Sequence, residues 1–306
     1  MSVEELEKLR KEIVALQKKI LLISIPACIA GAILLPFFFG MAFIIPIFLV
    51  ILIPMKKRNE FTKAYKQTFV KTSLEKVYTD LEYEPDLGIS RDVIADTGMM
   101  NMGDRYYSDD YVKGKYKNIT VEQADVHIEE ESTDSDGDTT YYTIFRGKWM
   151  IFEFNKNFKA DIQVREKGFT NAKVGWLFAK KEDKFKKVQM EDQAFNKSFT
   201  VYAQNEHEAF YILTPQLMDK IMTLNEKVNG ALLLCFVDNK LHVGLHNNKD
   251  DFEPKLSKEI KEAEVINSVV EQIKEVTDFV DELNLSNDLF KINTDSIVEE
   301  DNKSNK

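Results

Sequence analysis

Leu6, Leu9, Ile13, Leu16 and Ile20 recur at alternating steps of three and four near the start of the chain. That period places them on one face of a helix, and Glu4 with Lys8 and Glu7 with Lys11 add supporting charge pairs one turn apart. From Ile20 to Met55 the polar face disappears. These 36 residues contain no Asp, Glu, Lys, Arg or His, and Ser24 is the one clearly polar side chain. A single straight helix of that length would run about 54 Å, beyond a hydrocarbon core of roughly 30 Å. Pro36 and Gly40 interrupt the run, which predicts a two-helix transmembrane hairpin over 20–55 with its tip between them. Lys18 and Lys19 flank one end, and Lys56, Lys57 and Arg58 the other. Basic residues favour the cytoplasmic side, so a hairpin keeps both clusters there. These seven residues are the expected membrane anchor. The expected location is the cell membrane, multi-pass, with the N-terminus and main domain cytoplasmic; one kinked span and a re-entrant loop are the alternatives.

A second stripe, Ile266, Val269, Ile273, Val276, Val280 and Leu283, lies within "EVINSVVEQIKEVTDFVDELNL". Each stripe covers only about two and a half heptads, short of a convincing coiled coil. Two readings stand: an apolar face packed on the protein's own body, or helices 3–20 and 260–283 pairing with each other, a second copy or a protein partner.

Between these helices the pattern changes period. "NEFTKAYKQTFVKTSLEKVYTDLEY" reads as a helix ending near Pro85, and "GISRDVIADTG" as a short helix capped by Ser90 and stopped at Gly98. "YVKGKYKNITVEQADVHIEEE", "TTYYTIFRGKWMIFEF", "KADIQVREKG" and "KSFTVYAQN" read as strands. Helical spacing returns in "NEHEAFYILTPQLMDKIMTLNEKV", with a fresh start at Thr214-Pro215. "ALLLCFVDNKLHVGLH" reads as a hairpin reversing at Asp238 and Asn239. The predicted class is α+β: the transmembrane hairpin, then a mostly antiparallel sheet domain with flanking helices. The expected divisions are an amphipathic helix at 1–19, the hairpin at 20–55, membrane-proximal helices at 56–97, the α+β domain at 98–256, an amphipathic helix at 257–284 and a disordered acidic tail at 285–306.

The net charge of -10 is unevenly spread. Residues 1–58 carry 8 basic against 4 acidic side chains, leaving 33 against 47 for the rest. A strongly acidic domain with no basic stripe repels phosphate backbones, so nucleic acid is not an expected partner. Cys28 and Cys235 show neither disulfide nor zinc spacing. The phosphate-binding and nucleophile-elbow motifs are absent, no catalytic constellation is legible, and no cofactor is expected.

Asp134, Asp136 and Asp138 in "DSDGDTT" resemble a calcium loop, but Gly137 falls at the wrong position and no Glu follows at the twelfth, so a solvated hairpin loop is the preferred reading. His242 and His246 can share one strand face, though two imidazoles alone make no metal site. Glu206, His207 and Glu208 open a helix, where acidic residues favour the dipole without any catalytic role.

"FRGKWMIFEFNKNF", "QMEDQAFNKSFTVYAQNEHEAFYILTPQLMDKI" and "FVDNKLHVGL" followed by "DDFEP" carry a family resemblance. The F-x-G strand, the F-N-K-x-F-x-V strand, the E-A-x-Y-x-L-T-P helix entry and the terminal F-E-P resemble a bacterial family described only as a domain of unknown function, number 3137. The resemblance covers roughly residues 60–256 plus the preceding hairpin. It implies a membrane protein and offers no catalytic residue to carry over. The functional expectation is a membrane-anchored protein of unknown biochemical activity, presenting a cytosolic α+β domain to a protein or to the lipid bilayer at the inner membrane face. A membrane-tethered hydrolase with an unrecognised pocket and an accessory subunit of a larger membrane complex are the alternatives.

Overall fold

A computed structural model describes residues 1–34, 54–154, 158–169, 185–283 and 285. It divides into two compact units, one of residues 1–76 and 252–271, the other of residues 77–251 and 272–306.

Unit 1 is helical. Helix α1 (Val3–Leu34) opens on a reciprocal cap: the Glu5 amide donates to Ser2 Oγ at 3.2 Å and the Ser2 amide to Glu5 Oε2 at 2.8 Å. Leu6 and Ile13 are fully buried. Arg10 donates two hydrogen bonds to Glu7 and a third, at 2.8 Å, to the Leu256 carbonyl. Chiefly through the Arg10 hydrogen bonds, Glu7 is held down at about 2. Helix α2 (Met55–Tyr65) continues through a π-helical turn (Lys66–Lys71) into α3 (Thr72–Leu74). Phe61, Tyr65 and Phe69 follow one another along it with tilted rings, centroids 6.3 and 5.2 Å apart. Lys66, at the start of the π turn, is buried and paired with Glu253 at 2.5 Å. The wider turn sits where a buried charge has to reach a partner distant in the chain.

Among the described residues, unit 2 is built on a nine-stranded sheet of order β1-β2-β3-β4-β9-β8-β5-β7-β6, in which every pairing is antiparallel. The strands are β1 (Thr79–Glu84), β2 (Arg105–Tyr116), β3 (Ile119–Thr133), β4 (Thr139–Glu153), β5 (Ile162–Glu166), β6 (Lys186–Val188), β7 (Phe199–Ala203), β8 (Ala231–Val237) and β9 (Lys240–His246). Helix α4 (Arg91–Ala95) precedes β2, α5 (Gln193–Ser198) leads into β7, and α6 (Glu206–Ile212) and α7 (Pro215–Lys227) connect β7 to β8. Helix α8 (Glu262–Glu282) has its first half in unit 1 and its second in unit 2.

Local chemistry sets the corners. Lys117 and Asn118 join β2 to β3 with φ of 48° and 66°, the left-handed pair that suits a two-residue hairpin. The Thr214 hydroxyl accepts the Leu217 amide and Pro215 takes the first position of α7. On one sheet face Val126, Ile128, Phe145, Trp149, Leu233 and Cys235 form the core with Ile94 and Met99. Gly244 lies opposite Trp149 across β4 and β9, and a Cβ there would stand 2.7 Å from the indole. The ring fills the place of the missing side chain. The other face carries Phe152, stacked on Phe279 of α8 at 6.4 Å.

The α+β class, the large antiparallel sheet and the flanking helices agree with the pattern, as do the reversal at Asp238 and the start at Thr214. Four expectations change. Thr79–Glu84 is a strand, not the end of a helix, because β2 offers it an edge and pairing outweighs local propensity. Among the described residues no helix is long and apolar enough to cross a membrane, which overturns the multi-pass cell-membrane location with cytoplasmic N-terminus and main domain. The uncharged part of α1 within those residues, Ile20 to Leu34, extends only about 22 Å, short of a roughly 30 Å core. The hairpin tip at Pro36 and Gly40 and its second arm lie outside the described residues, and the transmembrane hairpin is unsupported. The coiled-coil expectation is likewise unsupported: Leu6 and Ile13 of unit 1, and Ile273, Val276, Phe279, Val280 and Leu283 of unit 2, are buried by the protein's own body.

Candidate functional site

Unit 2 holds a charged cluster inside its sheet. Asp125 on β3 lies opposite Lys148 on β4, and Asp109 on β2 lies opposite Asp125. Lys148 is 2% exposed and its ammonium meets Asp251 at 2.7 Å, Glu275 at 3.4 Å and the Gln272 carbonyl at 3.1 Å. The Asp251 amide donates to Asp125 Oδ2 at 2.5 Å, joining residues 126 positions apart. Beside them, in a bulge of β2, Asp110 adopts φ 55° and accepts the Tyr83 hydroxyl at 2.7 Å.

The electrostatics divide these groups. Burial alone would lower the Lys148 pKa, but the charges of Asp251, Glu275 and Asp125 outweigh it and the net direction is up. Burial, followed by the charge of Asp251, pushes the Asp125 carboxyl well above the carboxylate range. A cleft of about 460 Å³ opens over this face, and its lining includes Tyr107, Asp109, Asp125, His127, Arg146 and Asp250. Tyr107 and His127 face each other with ring centroids 6.0 Å apart, and Arg146 pairs with Asp250 at 3.4 Å. Burial lowers the His127 pKa. The arrangement offers donors and acceptors of both signs around a carboxyl inclined to hold its proton.

The residues singled out from the sequence take other places. The Asp134 carboxylate accepts the amides of Asp136 and Asp138 at 3.0 and 2.9 Å, so it closes its own hairpin loop between β3 and β4. His242 and His246 share a face of β9, but His242 accepts the Trp149 indole N–H at 3.4 Å and His246 accepts the Arg146 amide at 3.0 Å. Burial holds His242 at about 4. Glu206 and Glu208 sit in the first turn of α6, where Glu208 accepts the Lys159 amide. Cys235 is buried and burial pushes its thiol up.

In unit 1, Lys18 and Lys19 are exposed on α1, and Lys56, Lys57 and Arg58 are exposed at the start of α2. Lys57 pairs with Glu12 at 2.8 Å. Directly after Lys19, Leu21, Leu22, Ile23 and Ile25 are exposed, Leu22 to 76%. Large aliphatic side chains exposed at four of five successive positions depart from an ordinary amphipathic helix.

Sequence reasoning missed the buried cluster. Its one signal was charge at strand-interior positions, Asp125 within "QADVHI" and Lys148 within "RGKWM"; the partner Asp251 is visible only once β9 has turned the chain back.

Fold and sites together define an antiparallel α+β sheet protein with a charged interior and a polar cleft. Residues 143–285 match the model of the family described as "Protein of unknown function (DUF3137)", which bears out the family resemblance, over that stretch in place of the expected 60–256. No curated protein matches the chain. Among solved structures, the crystal structure of the mycobacterial trehalose monomycolate transport factor A, TtfA, aligns over 72% of this chain and 93% of its own, at 11% identity and a TM-score of 0.38. At that level the likeness carries no inference about ligand or partner.

Proposed function

We propose that this is a lipid-associated interaction protein, in which unit 1 makes the lipid contact. One observation carries the reading: Leu21, Leu22, Ile23 and Ile25 are exposed on α1 immediately after Lys18 and Lys19. Apolar side chains gain by leaving water for an acyl layer, at about 25 cal/mol per Å² of apolar surface. Adjacent lysines add roughly 1 kcal/mol each near an anionic surface. Co-sedimentation of the full chain with phosphatidylcholine–phosphatidylglycerol vesicles tests it. The wild-type chain pellets with the vesicles, and Leu22→Asp/Ile23→Asp stays in the supernatant. Equal pelleting of the two chains, or none of either, rejects the lipid contact.

A second reading, hydrolysis in the cleft of unit 2, is favoured by the elevated pKa of Asp125 opposite Asp109. Two carboxyl groups in different environments are what a general acid and a general base require. Turnover of chromogenic esters or glycosides that Asp125→Asn abolishes while vesicle binding persists would support it. No turnover by the wild-type chain would reject it for those substrate classes.

A further inference from the structure

A second stripe on α1 stands apart from the one that packs inward. Lys11, Val14, Lys18, Leu21 and Ile25 fall at alternating steps of three and four, so they share a face. Part of this face forms one wall of a groove of about 880 Å³ within unit 1, floored by Val14, Ala15, Leu21 and Leu256. Among the described residues its basic lining is Arg10, Lys11 and Lys18, and none of that lining is acidic. Arg10 is committed to Glu7 and to the Leu256 carbonyl, which fixes the far wall. Lys11 is 64% exposed and reaches Glu7 only at 3.4 Å, and Lys18 is exposed. The two lysines stand two helical turns apart, about 10 Å along the axis, with Val14 and Ala15 between them. Towards the C-terminal end the face turns wholly apolar at Leu21 and Ile25, both about half exposed.

We propose that this groove binds one anionic phospholipid, its headgroup held between Lys11 and Lys18 and an acyl chain laid over Val14, Ala15 and Leu21 towards Ile25. The site rests on the lipid reading above and gives it a ligand class. The single sign of charge selects an anionic over a zwitterionic headgroup, because a choline ammonium would face two lysines with no carboxylate among the described lining residues to receive it. The apolar floor separates a phospholipid from free phosphate, which would leave the floor in water.

Calorimetric titration of the full chain with monomeric dihexanoyl-phosphatidylglycerol and dihexanoyl-phosphatidylcholine tests the site independently of any vesicle. The wild-type chain binds the glycerol lipid more tightly. Lys11→Gln/Lys18→Gln weakens that binding roughly 30-fold, the effect of about 1 kcal/mol for each lysine, and leaves the choline lipid unchanged. Ala15→Trp fills the floor from an exposed position and abolishes binding of both. Unchanged affinity in Ala15→Trp, no preference between the lipids, or inorganic phosphate binding as well as the glycerol lipid overturns the site. Vesicle pelleting that persists with no monomer binding rejects the groove alone and leaves the Leu22–Ile23 contact standing. Monomer binding without pelleting rejects that contact and keeps the groove.

Discussion

Replacing Lys148 by Met removes the only cation in contact with Asp251 and Glu275 among the described residues, while roughly preserving the volume of the stem. In the native chain Lys148 is 2% and Asp251 7% exposed, and they meet at 2.7 Å. Truncating one partner of so buried a pair leaves an uncompensated charge and costs about 3–5 kcal/mol. Glu275, at 3.4 Å and 23% exposed, is wet enough to contribute little of that. The second half of α8 also loses a tie, since the Lys148 ammonium donates to the Gln272 carbonyl at 3.1 Å. Urea unfolding followed by Trp149 fluorescence, in a Trp176→Phe background, reads the loss as a lower midpoint. Hydrogen exchange at the amides of 273–282 reads the loosening of the helix. Adding Asp251→Asn to Lys148→Met removes the stranded anion and restores more than about 1 kcal/mol. A cost below about 1 kcal/mol for Lys148→Met, or an additive further loss in the double variant, would refute the buried-pair reasoning. Glu275→Gln folds under any version of the argument and stays within about 1 kcal/mol of wild type.

Asp125 and His242 make opposite contributions to the pH dependence. The folded-state pKa of Asp125 is raised, so its contribution is complete below the unfolded value near 3.8 and is lost as pH rises through the folded value. Asp125→Asn keeps an acceptor for the Asp251 amide and flattens that slope; an unchanged stability profile from pH 4 to 8 would show that Asp125 ionises freely. His242 is lowered from 6.5 to about 4, so its contribution is complete above 6.5 and is lost as pH falls towards 4, by roughly 3 kcal/mol. His242→Gln removes this acid sensitivity, and identical urea midpoints against pH in variant and wild type would contradict it. Gly244→Ala places a Cβ 2.7 Å from the buried Trp149 indole and costs about 1–3 kcal/mol by overpacking, with a shifted Trp149 emission; a neutral substitution would mean the ring has room to move.

The elements were legible where local chemistry suffices. Thr214-Pro215 carries a hydroxyl cap and a residue suited to the first helical position, so the start of α7 needs no distant partner. The stripe from Ile273 to Leu283 shows its period, but its cover does not: Phe279 packs on Phe152, which only the paired sheet brings to it. Thr79–Glu84 has too few strand formers to declare itself and becomes β1 because β2 supplies its ladder. Asp134, Asp136 and Asp138 look alike in sequence, and only the loop's own amides show why the first of them faces inward.

The order of residues by itself determined the periods: a helix through Leu6 and Ile13, alternating strands, an uncharged run from Ile20 to Met55, and a turn at Asp238-Asn239. These depend on steps of a few residues, over which geometry is set by the backbone. Tertiary structure alone decided that Asp125, Lys148 and Asp251 share one interior, that Lys11 and Lys18 border an apolar groove closed by Leu256, and that Trp149 covers Gly244. Each of these joins positions far apart in the chain, and burial and charge pairing exist only after folding removes the water between them.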